Sequence, residues 1–182
     1  NAAGTVTFGA SVTAQWTTGI STAKELASAM AYGKMLYRDP TFTKGNNSMG
    51  VYNNTGNGLV SLTRMADSTA PNGSGYVIKI QTTGTATPGN GGFLFGTTCS
   101  NRKVFVTRII AKIPVGHNIQ FATNSIGTGG SSRWLTANAG TGDWCEYIYK
   151  VVCGTANFSS THYYYLDGTQ GTTAAPVVWY VA

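Results

Sequence analysis

Alternating apolar and polar residues predict short β-strands along most of the chain. Segment 103–113 places Arg108 and Lys112 on one side of an extended chain and four apolar residues on the other, namely Phe105, Ile109, Ala111 and Ile113. Segment 144–153 alternates in the same way and gathers five residues on one face. These are Cys145, Tyr147, Tyr149, Val151 and Cys153. A period of two residues indicates strands that bury one face.

Turn residues separate further strand-like segments. Residues 76–81, 119–121, 163–166 and 177–181 are rich in β-branched and aromatic residues and are bounded by turn formers. About eight to ten short strands with turn-rich connections are typical of a two-sheet sandwich. A parallel α/β fold would need strands that alternate with helices, and the pattern lacks them. We therefore predict an all-β fold, a jelly-roll-like antiparallel β-sandwich.

The first part of the chain predicts a short helix. Thr22 and Glu25 have the spacing of a capping box, and Gly33 is suited to end the helix. A helix of about ten residues is marginal alone in water, so we expect it to pack on its domain or on copies of itself about a symmetry axis. The sequence thus predicts an extended N-terminal segment with a neck helix, residues 1–34, for attachment or oligomerisation. Residues 35–182 form the predicted β-sandwich recognition domain.

Composition narrows the choice of partner. Charged residues make up 10% of the chain and the net charge is +6, but only Arg102 and Lys103 are adjacent cations. Nucleic-acid readers concentrate positive charge on a groove or helix, so we expect no direct nucleic-acid binding. No apolar run approaches the roughly 18 to 20 residues that cross a bilayer, so we expect no membrane insertion. Residues 1–8 lack the basic and apolar regions of a signal peptide.

Cysteine spacing favours free thiols. Cys145 and Cys153 lie eight residues apart on one predicted strand, which separates them by about 26 Å and prevents a bridge. Cys99 could pair with at most one of them. We therefore expect free thiols, as in a protein made in a reducing cytoplasm.

The sequence shows no set of residues with the spacing of a catalytic or metal site. The chain has two histidines and six acidic residues, and neither His117 nor His162 has a second ligand type at metal-binding spacing. Asp143 and Glu146 would lie on opposite sides of a strand, so they cannot act as a glycosidase pair. We predict no catalytic residue, no enzyme activity, no cofactor and no metal site. A structural Ca²⁺ held by turn acids such as Asp39 is conceivable, but no ligand spacing supports it.

Aromatic side chains are the residues of this sequence best suited to bind a ligand. The chain has 10 Tyr, 7 Phe and 4 Trp, and a sugar ring can stack its apolar face on such side chains while amides and cations bind its hydroxyls. Segment 131–146 places polar and aromatic residues near loop ends, and the run 163–165 must expose at least one ring. Trp144 and Trp179 are expected in the core. The predicted ligand-binding residues are Arg133, Trp134, Asn138 and Tyr164.

Three motifs carry a resemblance to known domains. Residues 39–46 contain Asp-Pro-Thr-Phe followed by Gly-Asn, residues 140–147 contain Gly-Thr-Gly-Asp-Trp followed by Tyr, and residues 177–181 are Val-Val-Trp-Tyr-Val. Together they resemble jelly-roll carbohydrate-binding modules and the galactose-binding-like superfamily. The block 113–182 also resembles domains of bacteriophage fibre and tail proteins.

The resemblance implies a non-catalytic virion domain of a tail or head fibre. Such a domain would be assembled in the host cytoplasm as a homotrimer, contact other virion proteins and bind a glycan on the host surface. Two alternatives remain open. One is a purely structural virion component, such as a fibre cap or capsid decoration. The other is a carbohydrate-binding module of a secreted glycoside hydrolase, against which the expected free thiols and the missing signal peptide weigh.

Overall fold

A computed structural model describes residues 41–46, 49–52, 60–83, 91–99, 103–124, 126–156, 158–167, 171–172 and 174–182. All of these residues belong to one compact unit, Met35–Ala182. The predicted N-terminal segment and helix, residues 1–34, lie outside the described residues, and so does Asp39.

The described residues form ten β-strands and no helix. The strands are β1 (Gly50–Tyr52), β2 (Val60–Ala66), β3 (Tyr76–Thr82), β4 (Gly92–Cys99), β5 (Val104–Lys112), β6 (Ile119–Thr123), β7 (Ser131–Trp134), β8 (Trp144–Val152), β9 (Phe158–Leu166) and β10 (Val177–Val181). Strands predicted at 103–113, 144–153 and 177–181 are confirmed as β5, β8 and β10. Within the described ranges, no segment is a helix long and apolar enough to span a membrane.

Two antiparallel sheets form a sandwich. One sheet has four strands in the order β1-β4-β9-β6, and the other has six in the order β2-β3-β10-β5-β8-β7. Every strand pair is antiparallel. From β3 to β6 and again from β8 to β10, successive strands alternate between the two sheets. Each sheet is therefore built from segments that are distant in sequence.

The inner faces of the two sheets meet in an apolar core. Ile78, Ile80 and Trp179 of the six-stranded sheet are fully buried. Phe93 of the four-stranded sheet has its ring centroid 5.9 Å from that of Trp179 and 5.0 Å from that of Tyr164. Because the side chains alternate along each strand, one set of residues fills this layer and leaves the other set on the outer faces.

The cysteines differ from the sequence expectation. Cys153 is disulfide-bonded and buried, whereas Cys145 is a free thiol whose sulfur lies 3.1 Å from the Thr141 hydroxyl oxygen. The expectation of free thiols is confirmed for Cys145 and wrong for Cys153. The distance argument from the sequence excluded only a disulfide between Cys145 and Cys153, and these two residues are not bonded to each other.

An arginine holds the segment that precedes β1. Phe42 is buried in the core with a positive φ of 53°, which a non-glycine residue rarely adopts. The Arg64 Nε donates to the Phe42 carbonyl oxygen, and Nη2 donates to the Thr43 carbonyl oxygen over 3.1 Å. The guanidinium carbon lies 3.5 Å from the centroid of the Tyr76 ring. One planar cation thus binds two main-chain carbonyls and covers an aromatic ring.

We expect Arg64→Ala to lower the free energy of unfolding by roughly 1 to 3 kcal/mol, because both carbonyls lose a charged donor. Arg64→Lys should recover less than half of this loss, since an ammonium group cannot reproduce the planar fork. Urea denaturation measures both values. The matched control is Thr63→Ala on the exposed side of the same strand, which should change stability by less than about 0.5 kcal/mol. Equal stability of the Arg64→Ala variant and the parent would contradict this role.

Candidate functional site

Three tyrosines form a cluster on the outer face of the four-stranded sheet. The ring centroid of Tyr52 lies 4.7 Å from that of Tyr163 and 5.5 Å from that of Tyr165, and the planes are tilted by about 50°. All three side chains are partly exposed. We call this cluster, Tyr52, Tyr163 and Tyr165, the tyrosine face.

Strand register explains why these rings meet. Tyr52 on β1 pairs with Gly92 on β4, and Gly92 pairs with Tyr165 on β9. Glycine puts no side chain between the two tyrosines, so their rings can approach each other over it. A Cβ atom at Gly92 would lie 1.8 Å from the Tyr164 carbonyl oxygen, so a larger residue would also force β4 away from β9. Tyr163 joins the cluster because it lies two residues before Tyr165, on the same side of β9.

A polar group lies at one end of the tyrosine face. Gln120 on β6 is the register partner of Tyr165. Asp167 lies two residues beyond Tyr165. Its carboxylate accepts hydrogen bonds from the main-chain nitrogen and the side-chain Nδ2 of Asn118, both over 2.7 Å. All three polar residues are partly exposed. We call Asn118, Gln120 and Asp167 the polar end.

The protonation states of this site follow from its contacts. Partial burial would raise the pKa of Asp167, but hydrogen bonds from Asn118 and Gln120 outweigh it and lower that pKa. Burial, with Tyr165 and Tyr163 nearby, raises the pKa of Tyr52, and burial raises that of Tyr165. At neutral pH the site therefore offers an ionised acceptor beside uncharged phenol groups that can donate.

The residues predicted from the sequence do not form one site. Tyr164 is completely buried in the core, which leaves it no surface for a ligand, and its two neighbours in the tyrosine run take the outer side. Arg133 and Trp134 are consecutive on β7 and therefore point to opposite sides. Trp134 packs edge-on against Tyr149, with ring centroids 5.1 Å apart. The Asn138 carbonyl oxygen accepts a hydrogen bond from the Ile119 nitrogen over 2.9 Å.

The two tryptophans expected in the core have different positions. Trp179 is fully buried as predicted. Trp144 is partly exposed on the outer face of the six-stranded sheet, with its ring centroid 6.5 Å from that of Tyr180. The expectation is therefore confirmed for Trp179 and wrong for Trp144. Trp144 begins β8, where alternation from the buried Tyr147 places it on the outer side.

Acidic residues within the described part of the chain have mainly structural contacts. Asp67 accepts hydrogen bonds from the Thr69 nitrogen over 2.8 Å and from its hydroxyl over 2.6 Å. Glu146 forms an ion pair with Arg108 on the outer face of the six-stranded sheet. Among the described residues, no group of three or more His, Cys, Asp or Glu side chains could hold a metal ion.

Two comparisons with known proteins give no match. No protein-family model matches the chain, and no curated protein matches it. The candidate site is therefore defined by the contacts of the tyrosine face and its polar end.

His162, one of the two histidines considered as metal ligands, lies in the core. Its side chain is 2% exposed, and neither ring nitrogen has a hydrogen-bond partner among the residues that the structure describes. Phe95, Phe105 and Phe121 surround the ring at centroid distances of 5.5, 6.1 and 5.6 Å. Burial lowers the pKa of His162 from 6.5 to about 4, because the aromatic surroundings cannot solvate a cation.

The buried histidine should make the fold sensitive to acid. Below pH 6.5 the unfolded chain binds a proton that folded His162 does not take up until about pH 4. Stability is therefore lost as pH falls through this window, by up to about 3 kcal/mol in total. We expect His162→Phe to remove most of this loss in urea unfolding measured between pH 7 and pH 4.5.

The control for this experiment is His117→Gln, which keeps His162 and should keep the loss. A His162→Phe variant that loses as much stability as the parent over the same range would show that other groups cause the acid sensitivity.

Proposed function

We propose that this protein is a non-catalytic glycan-binding domain and that the tyrosine face is its binding surface. The observation that carries the proposal is the cluster of three partly exposed rings, 4.7 and 5.5 Å apart, beside the polar end. Aromatic rings with a few convergent polar groups are the usual composition of a ligand site.

Sugar chemistry fits this arrangement. The apolar C–H side of a pyranose ring stacks on a tyrosine, and its hydroxyl groups need both donors and acceptors at the rim. Phenol groups of the tyrosine face donate, the Asp167 carboxylate accepts, and the Gln120 amide can do both. The described strand residues that share this side of the sheet are uncharged, so the site favours a neutral glycan over an anionic one.

The proposed fold within the sandwich class is a jelly roll. Alternation of successive strands between the two sheets supports this topology. Two motif residues also support the resemblance to carbohydrate-binding modules, because Phe42 and Trp179 are both buried in the core. Trp144 departs from that resemblance, since in such modules the equivalent tryptophan usually lies in the core.

The lack of catalysis is supported by the acids of the described residues. Three of the four described acids have structural contacts: Asp67 accepts hydrogen bonds from Thr69, Glu146 pairs with Arg108, and Asp167 accepts from Asn118. The fourth, Asp143, is exposed directly before β8. A glycosidase needs two carboxylates on either side of a bound sugar. Asp167 at the polar end has no second described carboxylate on the tyrosine face.

Within this function, a phage fibre domain that binds a host-surface glycan is the first candidate. A carbohydrate-binding module of a secreted hydrolase is the second, and the disulfide at Cys153 favours it. Disulfides persist in oxidising compartments and are rare in proteins that stay in a reducing cytoplasm. The expected free thiols had favoured a virion protein over a secreted module, and the disulfide removes that argument.

The mass of the oligomer distinguishes a phage fibre domain from a module of a secreted hydrolase. A trimeric fibre domain should have three times the chain mass of 19.1 kDa in light scattering of the full chain, whereas a module appended to an enzyme should be a monomer. A trimer that binds no sugar would instead indicate a structural virion component.

We expect Tyr163→Ala to weaken binding of the recognised glycan by about 1 to 3 kcal/mol, since it removes one stacking ring. A glycan array of neutral oligosaccharides identifies the ligand, and isothermal titration calorimetry measures the affinity. Far-UV circular dichroism checks that the variant is folded.

Two control variants make this test specific. Tyr163→Phe keeps the ring and should keep most of the affinity. Val51→Ala removes an exposed side chain, 46% accessible, next to Tyr52 on β1 and should have no effect. Full affinity in the Tyr163→Ala variant, or no binding to any sugar on the array, would overturn the proposal.

A further inference from the structure

Positive charge is concentrated on the outer face of the six-stranded sheet. Strand alternation places five cations on this side, and Glu146 is the single acid among the described strand residues that share it. Asp67, directly after β2, interacts electrostatically with Lys112. The cations are Lys79, Arg108, Lys112, Arg133 and Lys150. We call this surface the basic face. These cations are far apart in the sequence, and the strand register brings them together.

One row of the basic face alternates cations and rings. Lys79 on β3 pairs with Tyr180 on β10, and Tyr180 pairs with Lys112 on β5. Lys112 pairs in turn with Trp144 on β8. Adjacent strands are about 4.8 Å apart, so the two lysines stand roughly 10 Å from each other with an aromatic ring between them. The row thus presents charge and ring faces in alternation.

A second cationic position lies near the sheet edge. Arg133 on β7 is the register partner of Lys150 on β8, so two cations lie side by side on this face. Both residues line a shallow cavity of about 180 Å³ together with Ser131, Ser132 and Val152. An anion in this cavity would accept hydrogen bonds from the Arg133 guanidinium and the Ser131 hydroxyl, which lie on the same side of β7.

The centre of the basic face separates these two positions. Arg108 forms an ion pair with Glu146, so this part of the surface carries little net charge. Positive charge therefore occurs at separate points with rings beside one of them, and it does not form a continuous track.

We propose that the basic face binds an acidic polysaccharide, a chain of sugar rings that carries spaced carboxylate or phosphate groups. Charged groups of the polymer lie against the lysines of the row and against Arg133 and Lys150, while its rings contact Tyr180 and Trp144. A single-stranded nucleic acid carries a charge at every backbone unit and suits a continuous positive groove. A second copy of this chain would bring like charges together through this face. The spaced charges therefore favour the polysaccharide.

The basic face and the tyrosine face belong to different sheets, so each can be tested without the other. The probe for the basic face is polygalacturonate, a carboxylate polymer, titrated against the full chain at low salt with biolayer interferometry. Neutral dextran and single-stranded oligothymidylate serve as comparison ligands. We expect polygalacturonate to bind, dextran to bind far less tightly at this face, and affinity to fall as salt is raised.

Charge reversal locates the surface. Lys112→Glu should weaken polygalacturonate binding by roughly tenfold or more. Lys44→Glu makes the same change of charge in the segment 41–46, outside the strands of this sheet, and should change affinity less than about twofold. If Lys112→Glu does not fold, a Lys79→Gln and Lys112→Gln double variant removes the two charges without reversing them and should show a similar loss.

Three outcomes would overturn the proposal. One is that polygalacturonate does not bind. Another is that Lys44→Glu weakens binding as much as Lys112→Glu, which would indicate attraction by net charge alone. The third is that oligothymidylate binds more tightly than polygalacturonate, which would assign the basic face to nucleic acid.

Discussion

The antiparallel strand register determines the surfaces of this domain, because it fixes the side of the sheet on which each side chain lies. Burial of Trp179, Phe93 and Tyr164 between the sheets sets the phase of their strands. With a period of two, the residues beside them must then lie on the outer faces. The tyrosine face and the basic face are thus direct results of how the core is filled. A slip of one residue in β9 would exchange Tyr164 with Tyr163 or Tyr165 and destroy both the core and the site.

Much of the sandwich could be predicted from the sequence, but several strands could not. The sequence predicts β5 and β8 from apolar residues at alternate positions, and β10 from a run of β-branched and aromatic residues after Pro176. Gly92 and Gly96 make β4 look like a turn region, although the structure uses Gly92 to let two strands and two rings approach closely. The short β7 is rich in serine, which is as typical of loops as of strands. Such segments become strands through their neighbours, and a local pattern does not contain that information.

The site was harder to predict than the fold, for the same reason. A run of three tyrosines indicates that some rings point outward, but its phase is set by which residues enter the core. His162 and Leu166, both buried, share the inner side with Tyr164, and Leu166 was the signal that could have identified the inner ring. The cations of the basic face are scattered along the sequence because Lys79 and Lys112 come from strands on either side of β10. Only a known strand order could have joined them.

The lengths of the outermost strands have a consequence for behaviour at high concentration. A sheet edge exposes unpaired main-chain groups to which a strand of another molecule can add. Among the described strands, β1 at one edge has three residues, and β7 at the edge of the other sheet has four. β7 also carries the charged side chain of Arg133. These two short edges offer few main-chain groups to a foreign strand, so strand addition between molecules would fall to the longer outer strands at the opposite edges, β2 with seven residues and β6 with five.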